Sequence, residues 1–300
     1  GSIFKSRRMS RLEVAKTYKL YIGGKFPRTE SGRTYQLKGP KGENIANLCQ
    51  ASRKDFRESV IPARKAQASW ASKTAYNRSQ VLYRLAEMLE GRKAQFVDEL
   101  KQSGFSLLEA KKEVEDSLEC LVHYAGWADK YQQIFSSVNP VASSHFNFSV
   151  CEPSGVVVAT APLSNPLHGL CFLVSVCLAG GNSLIVLASE KTPHVAISFA
   201  EVVHTSDVPG GLVNILTGFE DELVEHFASH MDVNAVIYAR NNSKVSQKME
   251  LASADNMKRY FNWSDLEGKI KYSPYFIRDL QEVKTTWHPI ERISSSGSGY

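Results

Sequence analysis

The sequence predicts an α/β fold built on a parallel sheet of the nucleotide-binding type. Three observations predict it. First, Val156–Thr160, Ser183–Leu187 and Leu212–Leu216 are short apolar runs bounded by Gly or Pro, and two of them are rich in β-branched residues, as in strands buried on both faces. Second, the segments between them have helix length. Pro166–Ala179 is almost wholly apolar, and Pro193–His204 can turn Ile197, Phe199, Ala200 and Val203 inward. Third, the alternation strand–helix–strand–helix–strand requires parallel strands joined by right-handed crossovers.

The flanking chain reads in order. Residues 1–17 form a basic tail or linker with Lys5, Arg7, Arg8, Arg11 and Lys16. Tyr18–Phe26 alternates and turns on Gly23-Gly24, an edge strand or hairpin. Ile45–Leu48 is a short apolar patch after Gly39-Pro40 and Gly42. Arg53–Trp70 has a helical pattern that Pro62 is expected to bend or interrupt, and Ser72–Asn77 reads as a break. Arg78–Gly91 carries Val81, Leu82, Leu85, Met88 and Leu89 at helical spacing, with Gly91 as its C-terminal cap. Lys93–Gln102 and Ala110–Phe135 continue the helical layer over 18–139. His145–Cys151 alternates Phe146, Phe148 and Val150 with polar residues, which predicts a long exposed strand. Past the parallel unit, Glu220–Ser229 reads as a short helix, Val233–Tyr238 as a fourth strand and Asn241–Ala254 as a polar helix. Leu280–Trp287 is a last strand, and 290–300 is a low-complexity tail.

Composition narrows the function classes. The 300 residues suit one large domain or two small ones, and 43% apolar content is ordinary for a globular chain. Net charge is +5, from 36 Lys+Arg against 31 Asp+Glu. The excess is modest and dispersed, and no aromatic and basic platform for nucleic acid interrupts it. The five cysteines, Cys49, Cys120, Cys151, Cys171 and Cys177, form no CxxC, which fits buried thiols in a reducing, cytoplasmic compartment. No charged-then-apolar leader and no unbroken run of about eighteen apolar residues is present, so neither secretion nor membrane spanning is expected.

Several stretches together carry a family likeness: Leu20–Phe26 (LYIGGKF), the helices around Arg78–Leu100, Glu152–Val157 (EPSGVV), Ala179–Ser183 (AGGNS), Glu190–Pro193 (EKTP), Val208–Gly218 (VPGGLVNILTG) and Glu282–Thr285 (EVKT). In this order they resemble the aldehyde dehydrogenase superfamily. Ala75–Arg92 and Tyr124–Lys130 look particularly like the second, non-catalytic unit of family 16 aldehyde dehydrogenases. The resemblance implies a Rossmann-like core over 155–258, an N-terminal helical layer, and an oligomerisation hairpin over 140–154 and 279–289. It also implies that the catalytic domain is missing. The family inserts that domain between the fourth and last strands, and neither its ELGG-type nor its GQxC-type segment exists here; Asn256–Asp265 (NMKRYFNWSD) stands in their place. No catalytic residue is therefore assigned.

The same resemblance places vestigial cofactor positions at Pro162, Ser164, Asn165, Glu190, Gly218 and Arg240. Ser164 falls where the family keeps its oxyanion-binding asparagine, and Asn165 lies one residue later. Leu187 falls at the ribose lysine. Arg240 replaces a glycine that lets the backbone approach pyrophosphate, although its charge could still attract phosphate. No cofactor is expected, with weak NAD binding as the exception. His168 and Cys171 are three apart on one helix, a possible Cys–His pair. His226 and His230 are four apart but lack a third metal ligand at sensible spacing, so no metal is expected.

These residues predict a non-catalytic module giving oligomerisation or docking, beside an upstream aldehyde dehydrogenase unit in one longer chain. The expected homodimer uses Leu280–Trp287 and His145–Cys151. The alternatives are a nucleotide-binding regulator and a working NAD-dependent aldehyde dehydrogenase with Cys171 as nucleophile. Neither nucleic acid nor membrane is an expected partner.

Overall fold

The computed structural model describes residues 15–290; the basic tail before residue 15 and the tail after 290 lie outside the described residues. The chain enters through β1 (Thr17–Tyr18). Gly23 and Gly24 follow with φ of 62° and 75°, the pair of positive values that a type I′ turn requires. Ile22 and Lys25 bridge across that turn, while Tyr21 bridges to Ile215. Of the edge strand or hairpin expected over Tyr18–Phe26, the structure shows the hairpin alternative, a tight turn on Gly23-Gly24 clipped onto the main sheet. β2 (Thr34–Lys38) and β3 (Asn44–Cys49) complete a small sheet of order β1-β3-β2.

The helical layer departs from expectation in three places. α1 (Arg53–Ala71) starts on a capping box between Ser52 and Asp55 and runs straight through Pro62. Proline in a helix interior forfeits a hydrogen bond; here tertiary contacts hold the segment. Gly23 packs on the Pro62 ring, and the Pro62 carbonyl approaches so closely that a Cβ on Gly211 would lie 2.7 Å from it. α2 (Ala75–Glu90) begins earlier than expected because the Thr74 hydroxyl accepts the Asn77 N–H at 3.1 Å, so the break shrinks to Ser72–Thr74. Gly91 ends α2 as read, although with an ordinary φ of −62°. α3 (Lys93–Gln102) matches its expectation. The helix expected over Ala110–Phe135 is two. α4 (Leu107–Trp127) starts on a capping box between Ser106 and Glu109, and a turn at residues 128–130 separates it from α5 (Tyr131–Phe135).

β4 (Ser137–Asn139) and β5 (His145–Pro153) precede the parallel unit. That unit comprises β6 (Val156–Thr160), α6 (Pro166–Ala179), β7 (Ser183–Leu187), α7 (Pro193–Thr205), β8 (Val213–Leu216), α8 (Glu220–Ser229), β9 (Ala235–Tyr238), α9 (Ser243–Asp255) and β10 (Arg259–Asn262). The sheet has order β10-β9-β6-β7-β8 and every pairing is parallel. Its fifth strand, β10, was not read from the sequence and extends the sheet beyond residue 258. Successive strand residues face opposite layers. Val157, Ala159, Leu184 and Val186 join a core with α6, α7, α2 and α4, whereas Val156, Val158, Ile185 and Leu187 join Phe56, Leu223, Phe227 and Met249 of α1, α8 and α9.

A 3-10 turn (Ser264–Glu267) and α10 (Tyr275–Asp279) lead to β11 (Gln281–Pro289). β11 pairs antiparallel with β5 from Gln281↔Pro153 to Pro289↔His145, and β4 pairs with the other edge of β5. Within this sheet β5 keeps the expected alternation, with Phe146, Phe148 and Val150 on its less buried face. Asn147, Ser149 and Cys151 are buried, and Phe146 is 45% exposed.

Candidate functional site

In an open parallel sheet, ligands bind where the crossovers change direction, outside the carboxyl ends of the strands. Here the chain steps from β6 to β7 and β8 on one side, then to β9 and β10 on the other. The loops after β6, β7, β8 and β9 carry Pro162–Asn165, Glu190, Gly218 and Arg240 respectively, and of the six candidate positions Glu190 and Arg240 line one cleft.

Arg240 lines that crevice. Its side chain is 3% exposed. Nε donates to the Ala161 carbonyl at 2.8 Å and Nη2 to the Ala188 carbonyl at 3.3 Å. Nη1 donates to Glu220 at 2.7 Å and to Glu190 at 3.1 Å. The Tyr238 hydroxyl donates to Glu220 at 3.1 Å, and the Glu220 backbone N–H donates to Glu190 at 2.9 Å. Burial first, then Glu220, pushes the Tyr238 phenol well above its ordinary range. The guanidinium thus turns onto two carboxylates. The cleft there, of about 480 Å3, is edged by Arg240 together with Glu190, Glu220, Asp221 and Glu267, and no cysteine lines it.

The loop after β6 is also engaged. Asn165 Nδ2 donates to the carbonyls of Leu266 at 2.7 Å and Gly268 at 2.8 Å, consuming both amide hydrogens. The Ser164 N–H donates to Glu267 at 2.9 Å. Asn165 therefore keeps no amide hydrogen for an oxyanion. Pro162 lies flat on α6, where a Cβ on Gly169 would fall 2.2 Å from its ring. Gly218 sits against the backbone of Ala51.

A helix amino terminus attracts anions; that of α6 is filled by the chain itself. Glu113 of α4 accepts the N–H groups of His168 at 2.8 Å and Leu167 at 3.2 Å. Burial raises the Glu113 carboxyl, and these two N–H groups partly hold it down.

The cysteines are free and buried. Burial raises the Cys171 thiol far above its ordinary range and takes Cys120 to about 12. A thiolate is the reactive form, so the geometry gives Cys171 no activation. His168 does not pair with it: His168 Nε2 lies 2.6 Å from the Tyr272 hydroxyl, and burial lowers that imidazole to about 4. His230 Nδ1 accepts the Asp232 N–H at 3.1 Å. Among the described residues no cluster of three or more His, Cys, Asp or Glu could hold a metal, and no helix is long and apolar enough to cross a membrane. The sequence reading missed Glu220, Tyr238, Glu267 and Glu113. Its only available signal was the acidic first turn of α8, which dipole complementarity explains equally well.

A profile of the aldehyde dehydrogenase family matches residues 27–269. The chain belongs to the aldehyde dehydrogenase family. It is 30% identical to DhaS of Bacillus subtilis over 248 residues, covering 81% of this chain and 49% of DhaS. It is 27% identical to human mitochondrial 10-formyltetrahydrofolate dehydrogenase over 260 residues, covering 85% of this chain and 28% of that protein. A Bacillus cereus aldehyde dehydrogenase solved with NAD+ superposes with a TM-score of 0.77 at 25% identity, over 82% of this chain and 50% of its own. This aldehyde dehydrogenase family chain therefore spans about half or less of the relatives it matches. The family fold implies a dinucleotide at the crevice, but the residues here do not fit one. The resemblance puts a glycine at the place of Arg240, whose side chain here shares the cleft with Glu190, Glu220, Asp221 and Glu267.

Proposed function

We propose that this chain is a non-catalytic aldehyde-dehydrogenase-like module that supplies an oligomerisation or docking surface. It would form one unit of a longer two-unit chain like the family 16 enzymes. The observation that carries this reading is the buried Arg240, bonded to Glu190 and Glu220. Nucleophile, base and hydride acceptor act as a unit, and in this crevice the remaining charged groups are bonded to one another. The route from β9 to β11 agrees with this. It contains only α9, β10, the 3-10 turn and α10.

The docking part of the reading rests on the small antiparallel sheet. β11 is an edge strand, with Val283 63% and Trp287 57% exposed. An unpaired edge bearing apolar side chains is a template for another chain. We assign the partner surface of a homodimer to Leu280–Trp287 and His145–Cys151.

Calorimetry and thermal-shift titration with NAD+ and NADP+ test the first part. No heat of binding and no shift are expected, and a rise of several degrees at millimolar nucleotide sinks the reading. NADH formation from a panel of aldehydes should stay at the buffer rate. Light scattering tests the second part: a dimer or larger species is expected, and a monomer at micromolar concentration removes the assigned surface. An antibody to this chain should detect a polypeptide larger than 33.4 kDa in the source cells; a band at that mass removes the two-unit proposal.

A further inference from the structure

A second pocket lies away from the crevice, where α1 meets the end of α8. It encloses about 390 Å3 and is lined by Arg53, Phe56, Arg57, His226, Ser229 and His230, with Met231 at its mouth. Arg53 and Arg57 are one helical turn apart and point to the same side. Phe56 forms the floor, edge-on to Phe227 at 4.7 Å and to His230 at 5.7 Å.

No carboxylate lines the pocket. Of the acids on the surrounding elements, Asp55 accepts from Thr29 and Ser52, Glu30 pairs with Lys54, Glu222 with Arg33, and Glu225 with Lys248, whereas Asp232 acts on the His230 ring. Burial and then Arg53 hold the His226 imidazole below its ordinary range, with Arg57 adding to this and Glu225 opposing. Burial, Lys258 and Arg57 lower His230 against Asp232. Because His230 Nδ1 accepts the Asp232 N–H, its neutral ring carries the proton on Nε2 and is a donor there. The lining therefore brings together two arginines, two histidines and Ser229, and its positive charge has no counterion among the lining residues.

We propose that this pocket binds a phosphate-type dianion, either as inorganic phosphate or as the phosphoryl group of a small phosphomonoester. Arginine forks match the oxygens of a tetrahedral oxyanion, and the volume admits the phosphoryl group with a few attached atoms. The capping box of Ser52 and Asp55 occupies the α1 amino terminus, so side chains, not helix amides, make the site.

The test is titration of the full chain with inorganic phosphate and, separately, phenyl phosphate, at constant ionic strength set by sodium chloride. Binding is read by calorimetry and by the imidazole resonances of His226 and His230. Saturable binding is expected, with the titration midpoints of both histidines moving upward. Binding should be at least about tenfold weaker in the double variant Arg53→Gln/Arg57→Gln. Displacement of one ligand by the other shows that both sources share the site; binding of phenyl phosphate alone assigns it to esters. No saturation with either ligand, or equal affinity in the double variant, overturns the proposal. Both arginines are exposed, so the variant should keep its melting temperature. Should it not, Arg57→Lys retains the charge, loses the fork and must still weaken binding several-fold.

Discussion

In the crevice beyond β6 and β9, Arg240, Glu190, Glu220 and Tyr238 satisfy one another, and Asn165 and Ser164 are tied to the 3-10 turn. In the β11-β5-β4 sheet the opposite holds. Trp287, Val283 and Phe146 face outward, and β11 is bordered by β5 on one side only among the described residues. One region has turned its polar groups inward; the other leaves apolar surface and backbone donors uncovered. Both belong to the same scaffold, and the proposed docking surface is the one left uncovered. A ligand site keeps its donors free, as proposed for the pocket at Arg53 and Arg57. A site with no ligand can recruit its charges for stability.

The sharpest way to break this comparison is Arg240→Ala. Removing one partner of a buried ion pair leaves charge uncompensated and should cost ~3–5 kcal/mol in urea unfolding. A loss below about 1 kcal/mol would mean that these ion pairs are not formed in solution. Adding Glu220→Gln to Arg240→Ala should recover part of the loss, because the two carboxylates then no longer face each other alone.

Acid comes next. His168 and His194 sit in the first turns of α6 and α7, and burial lowers each from 6.5 to about 4. A lowered folded-state value means the neutral ring is favoured by folding. The stability it confers is present above pH 6.5 and is lost as pH falls towards 4, by up to ~3 kcal/mol for each ring. Unfolding free energy measured across that window should decline, and His168→Gln with His194→Gln should flatten the decline. An unchanged slope would show that the acid response originates outside the parallel unit.

Asn165→Ala removes two hydrogen bonds to the 3-10 turn and should cost ~1–2 kcal/mol, read as a lower melting temperature. The smallest stability effect is expected in the other region. Val283→Lys with Trp287→Lys alters exposed side chains and should change monomer stability by no more than ~0.5 kcal/mol, while light-scattering mass falls. A large stability loss with unchanged mass would reverse the roles given to the two regions.

Much of this architecture was legible in the residues. Val156–Thr160, Ser183–Leu187, Pro166–Ala179 and Glu220–Ser229 match their elements because apolar runs or helical periodicity end at Gly, Pro or a polar cap. β10 was missed because RYFN is a half-polar edge strand with no alternation to distinguish it from a loop. Pro62 misled because local propensity cannot register Gly23 and Gly211 packing against it. The six candidate positions were located by resemblance, but their chemistry was not. Whether Arg240 faces a ligand or Glu220 depends on a contact between two different loops, and Glu113 reaches α6 from a helix far back in the chain. Such pairings leave no periodic trace.

The pairing of β5 with β11 has a kinetic side. Ser149 meets Thr285 across 136 positions of sequence, and β11 follows every other strand. While the ribosome is still making the preceding segment, β5 has only the three-residue β4 beside it. The nascent chain therefore passes through an interval with Phe146 and Phe148 on an unprotected strand, when long-range closure is slow and self-association competes. Synthesis next to a second copy, or with a chaperone covering β5, would shorten that interval, and the yield of folded chain should depend on how quickly the final strand arrives.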